Sequence, residues 1–123
     1  MIDIEFDVND GVVDLIDTQT DIAIRVEGPQ HADYMFKRLV PNRLIFVASH
    51  SYLKQNGTPK SLNALQQHSF LRLDVYRDCK ILGTHQTVEQ IKTHQRILCQ
   101  SGMMLTTLCT QGAGIALRST WDV

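Results

Sequence analysis

The sequence predicts an α/β domain, and three observations carry that expectation. Short apolar runs of strand length alternate with segments of helical spacing, in the order β-α-β … β-α-α-β … β-α-β. That order builds sheets with helices on their faces. Two runs, Ile22-Ala23-Ile24 and Leu44-Ile45-Phe46-Val47-Ala48, are continuous rather than alternating, as for strands covered on both sides. Helix boundaries are marked by serines at Ser61 and Ser101 and by a glycine at Gly112, residues that satisfy the free ends of a helix.

At the N-terminus, Ile2, Ile4, Phe6 and Val8 alternate with Asp3, Glu5 and Asp7. A period of two predicts a strand with one buried face. Asn9-Asp10-Gly11 breaks it, and Asp10 offers a cap to a helix whose Val12, Val13 and Ile16 share one face. After Thr20-Asp21 comes the strand Ile22-Ala23-Ile24, which completes a β-α-β unit read as parallel. Gly28-Pro29 is a turn signal, and residues 34–40, which alternate weakly, are read as a strand. Pro41-Asn42 precedes the most hydrophobic strand, Leu44 to Ala48. A short helical run over 51–55 leads to a Gly57-Thr58-Pro59 turn. A second helix runs from Ser61 or Leu62 to about Gln67, with Ser61 as N-cap. Residues 69–74 read as a strand, as do Cys79-Lys80-Ile81-Leu82 and Arg96-Ile97-Leu98-Cys99. Residues 87–94 suit strand or helix, because Val88 and Ile91 are three apart. Ser101 caps a helix with Met104, Leu105, Leu108 and Cys109 on one face. Gly112 ends it, and Ile115-Ala116-Leu117 is the next strand.

Bulk properties narrow the function classes. A chain of 123 residues is one domain by length. Its 43% hydrophobic and 20% charged content is that of an ordinary soluble globular protein. A net charge of −1 leaves no basic face for duplex DNA. No apolar run approaches the ~20 residues that span a bilayer, and the acidic N-terminus is unlike a signal peptide. Three cysteines, an odd number, point to reduced thiols in a cytoplasm. Neither the cysteines nor the five histidines show metal-ligand spacing, so no metal or cofactor is expected. No nucleophile elbow or phosphate loop occurs. Gly112-Ala113-Gly114 follows a helix and precedes a strand, the reverse of a dinucleotide fingerprint. The enzyme alternative is a stand-alone α/β fragment with a cysteine or histidine as nucleophile or base.

The stretch PNRLIFVASHSYLKQNGTPKSLNALQQH, residues 41–68, closely resembles the middle of the effector-binding domain of LysR-type bacterial transcription regulators. The matching positions are Ala48-Ser49, Tyr52-Leu53, Gly57-Thr58-Pro59, Leu65 and His68. Upstream, Asp14, Leu15, Asp21, Ala23 and Arg25 fall at the places of a "v-D-L-i … D-v-A-i-R-i-g" segment. Downstream, Ser101-Gly102, Gly112, Gly114-Ile115-Ala116-Leu117 and Trp121 match "n-d-g … G-x-G-i-a-l-l-p-x-w".

That resemblance implies a periplasmic-binding-protein-like (type 2) effector domain. Such a domain has two Rossmann-like subdomains with open parallel sheets, joined by crossing strands, and a ligand cleft between them. The chain would hold mostly the second subdomain, residues 43–123, plus a β-α-β piece of the first with a crossover, residues 1–42. Residues 78–99 would form a β-hairpin. It would be a fragment or a truncated product, and DNA would be bound only through an N-terminal winged helix-turn-helix absent from this chain. The implied function is sensing of a small-molecule effector, with no catalysis, in a cytoplasmic homodimer, with exchange of the N-terminal segment as one route to the dimer.

Effector contacts implied by the family are Arg25 and Val26 after one strand, Ser49 and His50 after another, and Ser101, Gly102 and Met103 at a helix start. A helix N-terminus favours a carboxylate. Each position also has a plainer reading. Ser101 is an ordinary N-cap, and Arg25 is a structural ion pair with Asp14 or Asp21, the reading favoured here. His68 caps or hydrogen-bonds. Some members of the family sense peroxide through a cysteine pair, but Cys99 and Cys109 sit at apolar positions and read as buried structural cysteines.

Overall fold

The five apolar residues Leu44–Ala48 form strand β1 in a computed structural model that describes residues 1–11, 14–26, 35–74, 80–82, 88–90 and 95–123. Ser49 ends the strand and starts helix α1, His50–Asn56, its Oγ accepting from the Tyr52 N–H at 3.2 Å. Gly57 closes α1 at φ 80°, where its N–H donates to the Leu53 carbonyl at 2.9 Å. Only glycine adopts such a φ without a steric penalty. Ser61 caps helix α2, Leu62–Leu65, accepting from Ala64 N–H at 3.1 Å. Residues 66–67 continue as a turn rather than as helix.

Strand β2, Phe70–Leu73, follows. Strands β3, Lys80–Leu82, and β4, Val88–Gln90, pair antiparallel with Ile81 opposite Glu89. The choice between strand and helix is thus resolved as strand at 88–90, and β3 and β4 form part of the hairpin implied by the resemblance, whereas residues 95–99 join the main sheet instead. Residues 78–79, 83–87 and 91–94 of that expectation lie outside the described residues. Strand β5, Gln95–Cys99, leads through Ser101 into helix α3, Gly102–Thr110, and strand β6, Ile115–Ser119, ends the series.

The main sheet has the order β1-β6-β2-β5. β2 pairs parallel with β5 and with β6, Leu71 lying opposite Ile97 and Ala116. β1 instead runs antiparallel to β6, from Leu44 opposite Ser119 to Ala48 opposite Ile115. This corrects the expectation of an all-parallel sheet. Only strands linked by crossovers in the same sense must run parallel, and an otherwise parallel sheet commonly carries one antiparallel edge strand. The core between sheet and helices holds Tyr52, Leu65, Phe70, Leu71, Leu105, Cys109 and Ile115, all buried. Tyr52 is tolerated there because its hydroxyl is satisfied. It lies 3.1 Å from His68 Nδ1 and accepts from Ser69 N–H at 3.0 Å. His68 therefore has the hydrogen-bonding role expected of it.

The chain divides into two units, Asn42–Val123, just described, and Met1–Pro41. In Met1–Pro41 the expected elements are not formed. Residues 1–9 have no regular structure, and Ile2, Ile4, Phe6 and Val8 are exposed. Ile22 and Ile24 are likewise exposed outside any strand, and so are residues 35–39 of the run 34–40. Residue 34 lies outside the described residues. The helix expected over 12–16 is replaced by a turn at 15–19, where Asp14 Oδ1 accepts from Ile16 N–H at 2.8 Å and Thr20 N–H donates to Leu15 O at 3.1 Å. Val12 and Val13 lie outside the described residues. The physical reason is pairing. Alternation marks a segment that can be half-buried, but a strand exists only when a neighbour takes its backbone N–H and C=O groups. No strand occurs among the described residues of this unit.

Gly112 has φ 81°, and its N–H donates to Cys109 O at 3.0 Å, as expected for a glycine after α3. A Cβ there would also lie 3.3 Å from Ser51 Oγ. Gly112→Val should lower stability by ~1–2 kcal/mol, the cost of left-handed backbone for a side chain with a Cβ. Thermal unfolding of the two proteins checks it, and equal midpoints would refute it.

Candidate functional site

The first turn of α3 is shaped by one serine and one glycine. Ser101, extended at φ −109°, accepts from Met104 N–H at 3.4 Å, a long cap, while its carbonyl accepts from Leu105 N–H at 3.1 Å. Met103 is exposed and Gly102 is buried. The burial of Gly102 has a definite cause. A Cβ on it would lie 2.9 Å from both terminal nitrogens of Arg118, so the guanidinium lies directly on this helical turn.

Arg118 is carried by β6 and is only 5% exposed. Its Nη2 forms an ion pair with Asp122 Oδ2 at 3.1 Å. Its Nε is buried without a hydrogen-bond partner. The same side chain lines a cavity of about 290 Å³. The end of β1 contributes Val47, Ala48 and Ser49 to that cavity. Thr106, Cys109 and Thr110 of α3, together with Val123, complete it. Ser49 thus has two tasks, capping α1 and lining the cavity, and its Oγ also lies 3.0 Å from Ser51 Oγ. The threonine hydroxyls donate within α3, Thr106 to Gly102 O at 3.1 Å and Thr110 to Thr107 O at 2.8 Å.

The residues expected to contact a ligand are therefore placed as follows. Ser49 lines the cavity and His50 is exposed at the start of α1. Ser101, Gly102 and Met103 form the start of α3. Arg118 connects the two places, lining the cavity and resting on Gly102. Arg25 and Val26 belong to Met1–Pro41, where both are exposed. Sequence reasoning missed Arg118. Its signal was a charge at the end of the apolar run Ile115-Ala116-Leu117, where the resembled motif has a leucine.

Cys109 is buried, its Sγ 3.4 Å from Val47 O and 3.6 Å from Gly114 O. Burial pushes this thiol above its ordinary pKa, outweighing hydrogen bonds from the Ala116 and Ser49 backbone and the Arg118 charge. A raised pKa means that the folded state binds the proton more tightly. The stability this contributes is complete below the ordinary thiol pKa of 9.0 and is lost as pH rises through the folded value. Cys99 is only half-buried, its Sγ donating to Ser101 O at 3.3 Å, which corrects its assignment to the interior. Iodoacetamide should therefore modify Cys99 before Cys109 in the folded chain. Peptide mass spectrometry over time reads the order, and equal rates would contradict the burial argument.

Among the described residues, no group of three or more His, Cys, Asp or Glu side chains is placed to hold a metal ion. No helix among them is long and apolar enough to cross a membrane.

Comparison with known proteins gives a consistent result. A family model described as the LysR substrate binding domain matches residues 1–123. The chain is 29% identical over 123 residues to the HTH-type transcriptional activator TtdR of Escherichia coli (strain K12), covering 98% of the chain and 40% of that protein. It is 31% identical over 126 residues to the HTH-type transcriptional regulator DmlR of the same strain, covering 99% and 41%. Among solved structures, it is similar to CrgA, a LysR-type transcriptional regulator from Neisseria meningitidis. The TM-score is 0.74 at 28% identity, with 89% of this chain and 37% of that one covered. The CrgA regulatory domain alone gives 0.73 at 27% identity over 88% and 53%. The chain spans about two-fifths of the length of the curated relatives it matches.

Proposed function

Because the chain belongs to the LysR substrate binding domain family, we propose that it is the ligand-sensing and oligomerisation part of a bacterial transcription regulator. LysR-type regulators bind small-molecule effectors, form oligomers and bind DNA. The observation that carries the reading is the family match over the whole chain. The curated relatives are transcriptional regulators, a family that is not enzymatic, and this supports sensing over the alternative of a cysteine- or histidine-based enzyme.

In this reading residues 43–123 are the second subdomain of the effector domain, and 1–42 are part of the first. The effector contacts are Ser49 and His50 at the start of α1 and Ser101, Gly102 and Met103 at the start of α3. Arg25 and Val26 join them on the sequence resemblance. A ligand acts by differential affinity. It binds one arrangement of the regulator better, raises its population, and passes that bias to a DNA-binding part outside this chain. The protein works in the cytoplasm as a homodimer. The exposed apolar residues Ile2, Ile4, Phe6, Ile22 and Ile24 support association. Light scattering should show a mass above 14.0 kDa, and a concentration-independent monomer would overturn the dimer.

A thermal-shift panel of small carboxylates, aromatic acids, neutral sugars and amines tests sensing itself. A ligand at about 100 times its Kd stabilises by ~2.7 kcal/mol, a shift of several degrees for a domain of this size. A panel in which every compound leaves the midpoint unmoved overturns the reading.

A further inference from the structure

We infer that Asn56 is a modification site, where the side-chain amide is lost by spontaneous deamidation, and that the last turn of α1 sets the rate. The inference goes beyond the sensing role and does not depend on it. Asn56-Gly57 is the one asparagine-glycine pair in the sequence, the other asparagines preceding Asp10, Arg43 and Ala64. The chemistry needs two neighbours, an amide carbon on one residue and a reachable backbone nitrogen on the next. Glycine serves best as the second residue, because it has no Cβ to crowd the attacking nitrogen. Here both residues are exposed, and even a Cβ built on Gly57 would meet nothing within 4 Å.

The reaction balances with water as its single co-reactant. The Gly57 nitrogen gives up its proton and attacks Asn56 Cγ. A bond forms between that nitrogen and Cγ, the Cγ–Nδ2 bond breaks, and the amide nitrogen leaves with the proton as ammonia. The product is a succinimide that joins Asn56 and Gly57. Water then opens the ring at one of its carbonyls. Opening at Cγ leaves an aspartate. Opening at the Asn56 backbone carbonyl leaves an isoaspartate, whose main chain runs through Cβ and Cγ.

The structure holds both reacting groups. Gly57 N–H donates to Leu53 O at 2.9 Å, where the chain leaves α1 at φ 80°. Asn56 Nδ2 donates to Tyr52 O at 3.1 Å. Attack requires both bonds to open. Helix ends open locally at far lower cost than cores, so the last turn of this seven-residue helix slows the reaction without stopping it. The products then undo the same two bonds. Either one carries a carboxylate, which donates nothing to Tyr52 O and adds negative charge at the negative end of the helix dipole. Isoaspartate also lengthens the backbone between Leu53 and Gly57, so that Gly57 N–H loses register with its acceptor. Tyr52 is the buried residue of α1, and its hydroxyl accepts from Ser69 N–H at 3.0 Å. The modification therefore loosens the helix whose other end, Ser49 and His50, belongs to the candidate site.

The experiment incubates the whole chain in mildly alkaline buffer, folded and in urea, and follows the amide-to-acid mass change by peptide mass spectrometry. In urea the peptide holding Asn56 should convert to an aspartate and an isoaspartate form that chromatography separates. Asn9, Asn42 and Asn63 should stay intact over the same time. The folded chain should convert at the same residue but roughly tenfold more slowly, as for a turn that must first open locally. Asn56→Gln should abolish the conversion in both conditions. Asn56→Asp supplies one product directly, and it should lower the thermal midpoint and speed hydrogen exchange at Gly57 N–H. A chain that never converts at Asn56, or that converts equally fast at another asparagine, overturns the site. Equal rates in the folded chain and in urea overturn control by α1. An Asn56→Asp chain with unchanged midpoint and unchanged exchange overturns the loosening of the helix.

Discussion

Phe70→Ala is expected to lower the stability of the chain by ~3–5 kcal/mol, the usual cost of emptying a buried aromatic site. Phe70 is 1% exposed at the start of the central strand β2. Its ring meets that of Phe46 edge-on, with centroids 6.0 Å apart at 64°. Phe46 sits on the edge strand β1, across β6 from β2, so the pair ties the edge of the sheet to its centre. Domains are stable by only about 5–15 kcal/mol, so the loss should leave a large unfolded fraction at growth temperature. Urea unfolding measures it directly. Phe46→Ala alone should cost less, because that side chain is already partly exposed. The double variant should fall short of additivity by ~0.5–1.5 kcal/mol, the worth of the ring contact. A Phe70→Ala midpoint within experimental error of the parent would show that the core is not organised around this ring.

Gly114→Ala is the second large effect, and one methyl group produces it. A Cβ at Gly114 would sit 2.5 Å from the Ser69 carbonyl oxygen and 3.0 Å from its carbonyl carbon. Those are backbone atoms and cannot rotate away. The same oxygen accepts from Ile115 N–H at 2.8 Å, which sets the register of β6 against β2. The methyl therefore either breaks that bond or moves two strands. A cost of ~3 kcal/mol, the upper end of overpacking penalties, is expected. Hydrogen exchange at the Ile115 amide should accelerate with it, and an unchanged exchange rate would place the flexibility elsewhere.

The two neighbouring glycines illustrate what could be read in advance. Gly112 follows a helical apolar stripe at the spacing of a helix stop, so its positive φ was legible. Gly114 is required by a carbonyl 45 positions earlier, and nothing local encodes that distance. The same division runs through the domain. Serine starts at 61 and 101 and the apolar run at 44–48 state local preferences, and the structure follows them. The antiparallel entry of β1 depends on a pairing with β6 some seventy residues away. The alternation at 2–8 expresses a capacity for pairing that finds no neighbouring strand among the described residues of its unit. At the candidate site, Ser101 could be found as a cap, whereas Ser49, read only as an effector position, proves to cap α1 as well. Arg118 could be seen only as an oddity, because its meaning depends on Gly102 lying beneath it.

The contacts around Ser69 close a ring. Tyr52 of α1 holds the Ser69 N–H, and Ser69 O holds Ile115 of β6. Gly112 then fits against Ser49 and Ser51 at the head of α1. Cys109 adds a contact to Val47 at the end of β1. Two of these ties, at Cys109 and Gly112, engage the C-terminal end of α3, while the fully buried Leu105 holds its middle. The helix is therefore held along its length, by Leu105 in the core and by Cys109 and Gly112 at its end, and Gly102 at its start meets a single charged side chain. A displacement of α3 would thus be felt at the head of α1 through Gly112 and at the end of β1 through Cys109.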